Sequence, residues 1–335
     1  MTQLSEANHG DKAVLEDVNV LYKIASLYYE GGNTQDEIAR KVAMSRPMVS
    51  RALEKARSIG IVTISVVPPR RFKELSTEIS ERLRIRDVVI APSSSTTGID
   101  KRDRLIDIAE SASRYLEREI KTGMNVGIGW GSTVYETVLH LNQIPERKRH
   151  MPRIVPLMGS IGSTLAEYQE SVIVNQAATK LASTAYYYNV PMLTLRTDEE
   201  LEQIKRTYIE IHEIWKNLDM AVFGLGSFSN IKNYPMNSFT PGEYEYLVSN
   251  GVVGDILARF FNKDGYVEPF GRSFRFAGIS LEALNNALNR VCICGGSDKV
   301  IPLIHAARNK LFDTLITDFK TVNEINAYLS QEEKT

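Results

Sequence analysis

Hydrophobic residues between positions 20 and 60 recur with helical spacing and predict a small group of helices. Val20, Ile24, Leu27 and Tyr28 stand at i, i+4, i+7 and i+8, so they share one face of a first helix. Gly31-Gly32 ends that helix, because glycine is a poor helix former. The chain then continues with two shorter amphipathic segments.

The second and third helices are marked by their capping residues. Thr34 is followed three residues later by Glu37, a capping box in which each side chain bonds the other residue's backbone amide. Ser45 is a good N-cap, and Pro47 fits the first turn of the helix that follows it. Ala43 stands in the turn between the helices, where it requires a strained positive-φ conformation. Two helices joined by a tight turn have helix-turn-helix spacing.

The third helix and the start of the second predict a DNA-binding surface. Val49, Leu53 and Ala56 take the buried side, which leaves groups suited to base edges and phosphates on the other. Any amphipathic helix has a solvated face, but Asn33–Arg71 carries eight basic and three acidic residues, a net charge of +5 in a chain of net charge −1. The predicted DNA contacts are Thr34, Gln35, Ser45, Arg46, Pro47, Ser50, Arg51 and Lys55.

From about residue 87, short apolar strands alternate with helical stretches, which predicts an α/β domain with a doubly wound, largely parallel sheet. Ligands of such sheets bind beyond the carboxyl ends of the strands, so the loops that follow the strands are the candidate site. A further strand is predicted over Ile61–Val67, before this domain. The candidate strands of the sheet are Val88–Ile90, Asn125–Ile128, Ile154–Leu157, Met192–Leu195, Met220–Phe223, Val291–Ile293 and Thr314–Thr317.

Several of these loops are rich in glycine and hydroxyl side chains. Where a strand runs into a helix through such a loop, the first amides of the helix face outward and bind anions. In any single loop the glycines could serve the turn alone, but several at one sheet edge favour a phosphate-sized pocket. Lys299 adds a cation to the last of them. The loops are Gly127–Thr133, Gly159–Thr164, Gly224–Ser227 and Cys294–Lys299.

Asp255 is a further candidate, in the apolar segment Gly251–Asn262. The sequence places this residue at a helix start. There its carboxylate would be an N-cap, which Asp fills well, or would accept hydrogen bonds from sugar hydroxyls. The local sequence favours neither alternative.

Composition places the chain among ordinary folded proteins. Its residues are 43% hydrophobic and 24% charged, values typical of globular proteins. A length of 335 residues favours two domains, or one large domain with an appendage. The two cysteines, Cys292 and Cys294, fit buried strand thiols better than a disulfide framework or a zinc site. We find no signal-peptide pattern and no apolar run of membrane length, so we expect a cytoplasmic protein without membrane contact.

The domain boundaries follow from changes in pattern. Residues 1–14 are polar and aperiodic and are predicted to be a disordered arm, followed by a helix-turn-helix domain over 15–67. Pro68-Pro69 ends the preceding element, so a linker and connecting helix are predicted over 68–86. An effector-binding and oligomerisation domain is predicted over 87–330.

The strings Thr34–Ala39 and Ser45–Arg51, together with the four loops, resemble the SorC family of bacterial sugar-responsive transcription regulators. The resemblance covers roughly residues 20–328, and its more specific parts are Val253–Asp255 and Gly295–Lys299. It implies an effector domain related in fold to ribose-5-phosphate isomerase and glucosamine-6-phosphate deaminase. It also implies a phosphorylated sugar as effector and a homo-oligomer, commonly a tetramer.

The same resemblance suggests which residues surround the effector. It places Gly131, Ser132, Thr133, Gly296 and Lys299 at its border and Asp255 against its hydroxyls. Trp130 departs from the small polar residue that the related enzymes have in the first loop. With the loop residues, the predicted effector set is Gly129, Gly131, Ser132, Thr133, Gly159, Ser160, Gly226, Asp255, Gly295, Gly296 and Lys299.

Two classes of function fit this organisation. A DNA-binding regulator of a carbohydrate operon, with operator affinity set by a sugar phosphate, uses both modules. The alternative is a sugar-phosphate isomerase or deaminase with an accessory domain. The sequence has no paired carboxylates at a persuasive spacing and no metal-ligand cluster around its five histidines. We therefore expect operator DNA and a sugar phosphate as partners, and neither an enzyme nor a cofactor or metal.

Overall fold

The computed structural model describes residues 15, 17–62, 69–92, 100–142, 152–160, 168–194, 197–229, 241–267 and 275–333. The chain divides into two compact units, Met1–Pro69 with Ser93–Asp103 and Arg70–Pro92 with Arg104–Thr335. Each unit has a hydrophobic core of its own.

The first unit contains the three predicted helices, which the structure confirms. Each begins at a side chain that accepts a hydrogen bond from the first turn: Asp17, Thr34 and Ser45. Thr34 and Glu37 form the complete capping box. These local bonds explain why the helices begin where the sequence predicts. The helices are α1 (Val18–Tyr29), α2 (Gln35–Lys41) and α3 (Arg46–Ser58).

The core of the first unit joins all three helices. Ile24 of α1, Ile38 of α2 and Val49 of α3 are each 0% exposed. Ala43, in the turn between α2 and α3, has a φ of 52°, the positive value expected from the sequence. The strand predicted over Ile61–Val67 is not formed at its first two residues, and the rest lies outside the described part of the chain.

The second unit is an α/β fold that alternates strands and helices. Its helices are α4 (Pro69–Leu83), α5 (Lys101–Glu119), α6 (Ser132–Leu139), α7 (Glu170–Lys180), α8 (Asp198–Thr207), α9 (Ile209–Lys216), α10 (Pro241–Ser249), α11 (Leu281–Asn286), α12 (Val300–Arg308) and α13 (Phe319–Glu332). Its strands are β1 (Asp87–Ala91), β2 (Asn125–Ile128), β3 (Arg153–Pro156), β4 (Thr184–Ala185), β5 (Leu193–Thr194), β6 (Met220–Phe223), β7 (Gly226–Ser227), β8 (Gly254–Ile256), β9 (Arg259–Asn262), β10 (Gly265–Tyr266), β11 (Arg275–Phe276), β12 (Asn289–Ile293) and β13 (Thr314–Asp318).

A seven-stranded sheet forms the centre of this unit, in the order β1-β13-β12-β6-β2-β3-β4, and every neighbouring pair is parallel. From β2 the chain moves outward to β3 and β4, then returns to β6 and moves outward the other way to β12 and β13. The strand order therefore reverses between the neighbours β2 and β6. In open α/β sheets, ligands bind in the crevice at such a reversal.

Helices cover both faces of the sheet, which confirms the doubly wound fold predicted from the sequence. Val134 of α6 and Ile173 of α7 pack on one face. Trp215 of α9, Leu303 of α12 and Ile325 of α13 pack on the other. Because helices cover both faces of the sheet, a ligand can reach the sheet at the strand ends and the loops that follow them.

One predicted strand of this sheet is wrong. Within Met192–Leu195, the pair Leu193–Thr194 forms β5, which pairs antiparallel with β11 in a separate two-stranded sheet. The edge position of the main sheet is taken instead by the two-residue strand β4, beside β3. So short an edge strand has no alternating pattern from which it could be predicted.

The helix start predicted at Asp255 is also wrong. Asp255 lies in β8 of an antiparallel sheet of order β10-β9-β8-β7, opposite Gly226 on one side and Phe260 on the other. Leu257 and Ala258 form the β8–β9 turn with φ of 52° and 61°, values that glycine or asparagine adopts more readily. The Asp255 Oδ2 accepts a bond of 3.2 Å from the Ala258 amide and holds this turn.

We expect Ala43→Gly to stabilise the first unit by about 0.5–1 kcal/mol, because glycine adopts positive φ without a Cβ clash. Hydrogen exchange of amides in residues 17–62 measures this locally. Ala39→Gly, inside α2, is the matched control and should destabilise the same amides by about 1 kcal/mol. Faster exchange in Ala43→Gly than in the unmodified protein would contradict the strain assigned to this turn.

Candidate functional site

The predicted DNA contacts lie at the N-terminus of α2, at the start of α3 and along one side of it. The Arg46 Nε lies 3.8 Å from the Asp36 Oδ1 in an ion pair with both side chains largely exposed. Such pairs contribute little, so a DNA phosphate can replace the aspartate. Gln35 is half-buried, and the exposed members are Thr34, Ser45, Arg46, Pro47, Ser50, Arg51 and Lys55.

The first glycine loop joins β2 to α6 at the reversal of strand order. The Gly129 amide donates to the Val222 carbonyl of β6 at 2.8 Å. A Cβ on Gly129 would lie 2.7 Å from the Leu257 side chain, so a larger residue here would have to displace Leu257 of the β8–β9 turn. This loop, β6 and the turn thus meet at one point beyond the sheet.

Gly131 is the N-cap residue of α6. Its φ is 111°, no side chain caps the helix, and a Cβ here would meet nothing within 4 Å. Ser132 is exposed and Thr133 half-buried in the first turn. First-turn amides have no acceptor within their helix, so this end of α6 can bind an anion.

The third loop lacks the predicted passage into a helix N-terminus, and the passage predicted for the second loop lies outside the described residues. The amides of Gly159 and Ser160 donate to the carbonyls of Ala277 and Val190, each at 2.8 Å, and residues 161–164 lie outside the described part. Gly226 belongs to β7, so the strand-loop-helix arrangement expected there is wrong. These three residues serve close backbone packing.

The fourth loop combines glycine with a cation. Gly296 has a φ of 121° and precedes a 3₁₀ turn, Ser297–Lys299, without a side-chain cap. Its own amide donates to the Thr321 Oγ1 at 2.7 Å, so that amide is already occupied. The Lys299 Nζ lies 3.5 Å from the Asp298 Oδ2, and the lysine side chain is 18% exposed. Lys299 is therefore a weakly paired cation beside the turn.

The buried carboxylate of Asp318 holds the Gly295–Lys299 loop in place. Asp318 is 4% exposed, and it accepts hydrogen bonds from the Thr321 amide at 3.0 Å and from the Thr321 Oγ1 at 2.5 Å. A Cβ on Gly295 would lie 2.3 Å from the Asp318 Oδ2, so position 295 requires glycine. Asp318 thus sets the path of the loop that carries Lys299.

Arg104 and Thr317 border the same loop and were not predicted. The Arg104 Nη1 lies 2.8 Å from where a Cβ on Gly296 would be, and its buried Nε has no hydrogen-bond partner. Thr317 is 0% exposed, and its Oγ1 also has no partner. Thr317 is the penultimate residue of β13, so the rule that ligands lie beyond carboxyl strand ends could have found it. Arg104 lies in the first turn of α5.

Other chemistry is limited in the described part of the chain. No group of three metal-ligating side chains occurs there, and no helix there is long and apolar enough to cross a membrane. Cys292 and Cys294 are free and buried, as predicted, with their Sγ atoms 3.9 Å apart. Burial raises the pKa of Cys292, which keeps the thiol protonated and unreactive.

The chain matches one family over most of its length. Residues 68–326 fit the family described as "Putative sugar-binding domain". The chain belongs to this family. It is similar to the sorbitol operon regulator of Klebsiella pneumoniae, with 26% identity over 316 residues that cover 91% of this chain and 97% of that protein. It is also similar to the deoxyribonucleoside regulator of Bacillus subtilis, with 27% identity, 90% of this chain and 95% of that protein.

Solved structures agree with the fold. The crystal structure of the full-length sorbitol operon regulator SorC from Klebsiella pneumoniae has a TM-score of 0.70 and 24% identity, and covers 92% of this chain and 99% of that one. The α/β fold predicted from the sequence is therefore confirmed. The SorC-family resemblance is confirmed as well, and the chain is a sugar-responsive transcriptional regulator of this type.

Gly226→Ala should lower the free energy of unfolding of the second unit by about 1–3 kcal/mol, because its Cβ would lie 1.8 Å from the Asp255 Oδ1 and force the buried Asp255 side chain to move. Urea unfolding followed by tryptophan fluorescence measures this, since Trp130 and Trp215 both lie in that unit. Gly242→Ala is the control, because its Cβ would meet nothing within 4 Å. Equal stability of the two variants would argue against the close approach at Gly226.

Proposed function

We propose that this regulator binds operator DNA through α2 and α3 and that a phosphorylated sugar controls its affinity. The observation that carries the proposal is a pair of matching helix starts at one edge of the parallel sheet. Gly131 (φ 111°, ψ 162°) and Gly296 (φ 121°, ψ 151°) have nearly the same backbone conformation, and neither start has a side-chain cap. Uncapped starts favour an anionic ligand, and Lys299 adds a positive charge.

The relatives support a carbohydrate-linked role. Two of them are named for a sorbitol operon and for deoxyribonucleosides, and we propose that this chain likewise controls a carbohydrate-utilisation operon. We propose no catalytic activity, since these relatives are named as regulators and no specific observation favours an isomerase or deaminase.

Contacts of helix α13 support a path from the Gly295–Lys299 loop to helix α4. On one side, its first turns bind that loop. The Gly296 amide donates to the Thr321 Oγ1 at 2.7 Å, and the Ser297 Oγ donates to the Glu324 Oε1 at 2.9 Å. A ligand that moves the loop therefore acts directly on α13.

On its other side, α13 binds α4, the helix that follows the helix-turn-helix in sequence. The Arg82 Nη1 of α4 donates to the Asn326 side chain and, at 3.2 Å, to the Ser330 Oγ, and its Nη2 donates to Glu333 at 2.8 Å. The Phe72 ring of α4 meets Phe319 with centroids 5.3 Å apart. We propose that α13 transmits effector binding to α4, in two arrangements that the ligand distinguishes.

We further propose assembly as a homo-oligomer, a tetramer by family resemblance. One α3 helix reads only a few base pairs, so several half-sites are needed for a specific operator. Rearranging subunits would then change the spacing of these helices on DNA.

Replacing both Arg46 and Arg51 by alanine should weaken operator binding by about 30-fold or more, at about 1–3 kcal/mol for each residue that contacts a base. Mobility shifts with a fragment selected from random-sequence DNA measure the affinity. The salt dependence should also fall, by about 0.9 log units per lost phosphate contact. Arg206→Ala, an exposed arginine on α8, removes the same charge elsewhere. Unchanged binding by the double variant would reject this interface.

Variants on the two sides of α13 should separate loss of sugar-phosphate binding from loss of the change in operator affinity that binding causes. Lys299→Met should weaken sugar-phosphate affinity by about 10- to 100-fold, since charge-assisted bonds contribute about 1.5–3 kcal/mol. Arg82→Met should bind the sugar phosphate normally yet change operator affinity less on binding, because it has lost the hydrogen bonds to α13. Both variants should retain operator binding without effector.

A thermal-shift screen of sugar phosphates identifies the ligand, and calorimetry with and without operator gives the coupling. Arg70→Met is the control on α4, since Arg70 is 90% exposed and its ion pair is with Glu74, one turn along the same helix. Wild-type coupling in Arg82→Met would remove α13 from the mechanism, and normal affinity in Lys299→Met would remove that lysine from the site.

A further inference from the structure

Arg259 has a largely buried guanidinium with no ion pair to a described residue. Its guanidinium stacks 3.7 Å from the centre of the Phe276 ring, and its Nη2 donates to the Ile279 carbonyl. Its buried Nη1 has no hydrogen-bond partner, and no carboxylate of the described residues pairs with it. Burial lowers the pKa of Arg259 to about 10. An unpaired buried charge is costly, so a protein rarely keeps one without a use for it.

The guanidinium lies beyond the carboxyl end of the sheet. The backbone that receives its Nη2 is anchored there, since the Ile279 amide donates to the Leu157 carbonyl at 2.9 Å, just after β3. Gly278 bridges to Met158 in the same place. Leu257, two residues before Arg259, is the side chain packed on Gly129 after β2. Arg259 therefore lies by the loops of β2 and β3, where this fold binds ligands.

Tyr266 adds a second unpartnered donor on the same sheet face. It stands opposite Phe261, which is two residues from Arg259 on β9, so both side chains leave one face as diagonal neighbours. The Tyr266 hydroxyl is buried and has no hydrogen-bond partner. Burial raises the pKa of Tyr266 to about 12, so it remains a neutral donor.

A structural role in packing accounts for only some of the contacts of Arg259 and Tyr266. Stacking on Phe276 and the bond to Ile279 account for the ring contact and for Nη2. They leave the Nη1 of Arg259 and the hydroxyl of Tyr266 unsatisfied, although buried donors almost always find an acceptor. A carboxylate or phosphate presents several acceptors and the missing negative charge.

We propose that Arg259 and Tyr266 form a second anion-binding subsite of the effector pocket, for a carboxylate or phosphate at the ligand end away from Lys299. This inference rests on the proposed function. Lys299 follows β12 and Arg259 lies by β3, three strand intervals apart in the sheet, or about 14 Å before side chains reach inward. The ligand class is then a sugar with two anionic ends, a bisphosphate or a phosphorylated sugar acid.

The test measures phosphate-dependent stability in the Lys299→Met background, which removes the first anion site. Thermal unfolding is followed against inorganic phosphate, with chloride keeping ionic strength constant, since a ligand of the folded state raises Tm with concentration. Lys299→Met should still be stabilised by phosphate. Adding Arg259→Met should weaken the apparent phosphate affinity by at least about 10-fold, and adding Tyr266→Phe by a smaller factor.

Arg308→Met in the same background is the matched control, because Arg308 of α12 pairs with Glu332 of α13 and both side chains are partly exposed. It should leave the phosphate response unchanged. Without phosphate, Arg259→Met should unfold at the same temperature as its parent or higher, since it removes an unpaired buried charge. Arg259→Lys keeps the positive charge but lacks the paired N–H donors of the guanidinium. If Arg259→Met folds poorly, the phosphate response of Arg259→Lys tests the subsite instead.

Three ligands that share a 6-phosphate then separate the two chemistries: glucose 6-phosphate, glucose 1,6-bisphosphate and 6-phosphogluconate. In the unmodified protein, the ligand whose C1 anion fits the subsite, a carboxylate or a phosphate, should bind more tightly than glucose 6-phosphate. In Arg259→Met this difference in affinity should disappear. A phosphate response that is absent in Lys299→Met, or unchanged by Arg259→Met and Tyr266→Phe, overturns the subsite. That failure leaves operator binding intact, whereas failure of the proposed function abolishes operator binding in the unmodified protein.

Discussion

The buried carboxylate of Asp318 is the interaction on which the Gly295–Lys299 edge of the sheet depends. It ends β13, caps α13 and bonds both the amide and the hydroxyl of Thr321. That hydroxyl in turn accepts from Gly296. Removing a carboxylate from water is costly, and here these two bonds offset the cost while tying a strand, a helix and a glycine loop together. The position of Lys299 follows from this one buried group.

Sequence reasoning succeeded where the determinants are local. The starts of α2 and α3 follow from Thr34 and Ser45, whose side chains bond amides only three residues away. The strands β2 and β6 are short apolar runs between clear breaks, and both were predicted at their observed bounds. Such signals lie within one element and need no knowledge of its neighbours.

The hairpin of β8 and β9 could not be predicted, because its determinants lie far apart in sequence. Its turn uses Leu257 and Ala258 rather than the asparagine and glycine that mark such turns. What stabilises it is pairing with β7 and the Asp255 carboxylate over Gly226. The glycines of the second and third loops have the same origin. Gly159 and Gly226 are required by backbone and side chains from other segments, which a single sequence does not reveal.

The place of β1 in the sheet sets an order of folding. Its partner in the sheet is β13, with Asp87 beside Thr314 near the far end of the chain. Helix α4 leads directly into β1, so β1 can pair only after residues 314–318 of β13 have left the ribosome. The helix-turn-helix forms its core from residues close in sequence and folds much earlier. A polypeptide cut short before β13 therefore retains the sequence-local core of the three N-terminal helices but lacks the strand beside which β1 completes the sheet.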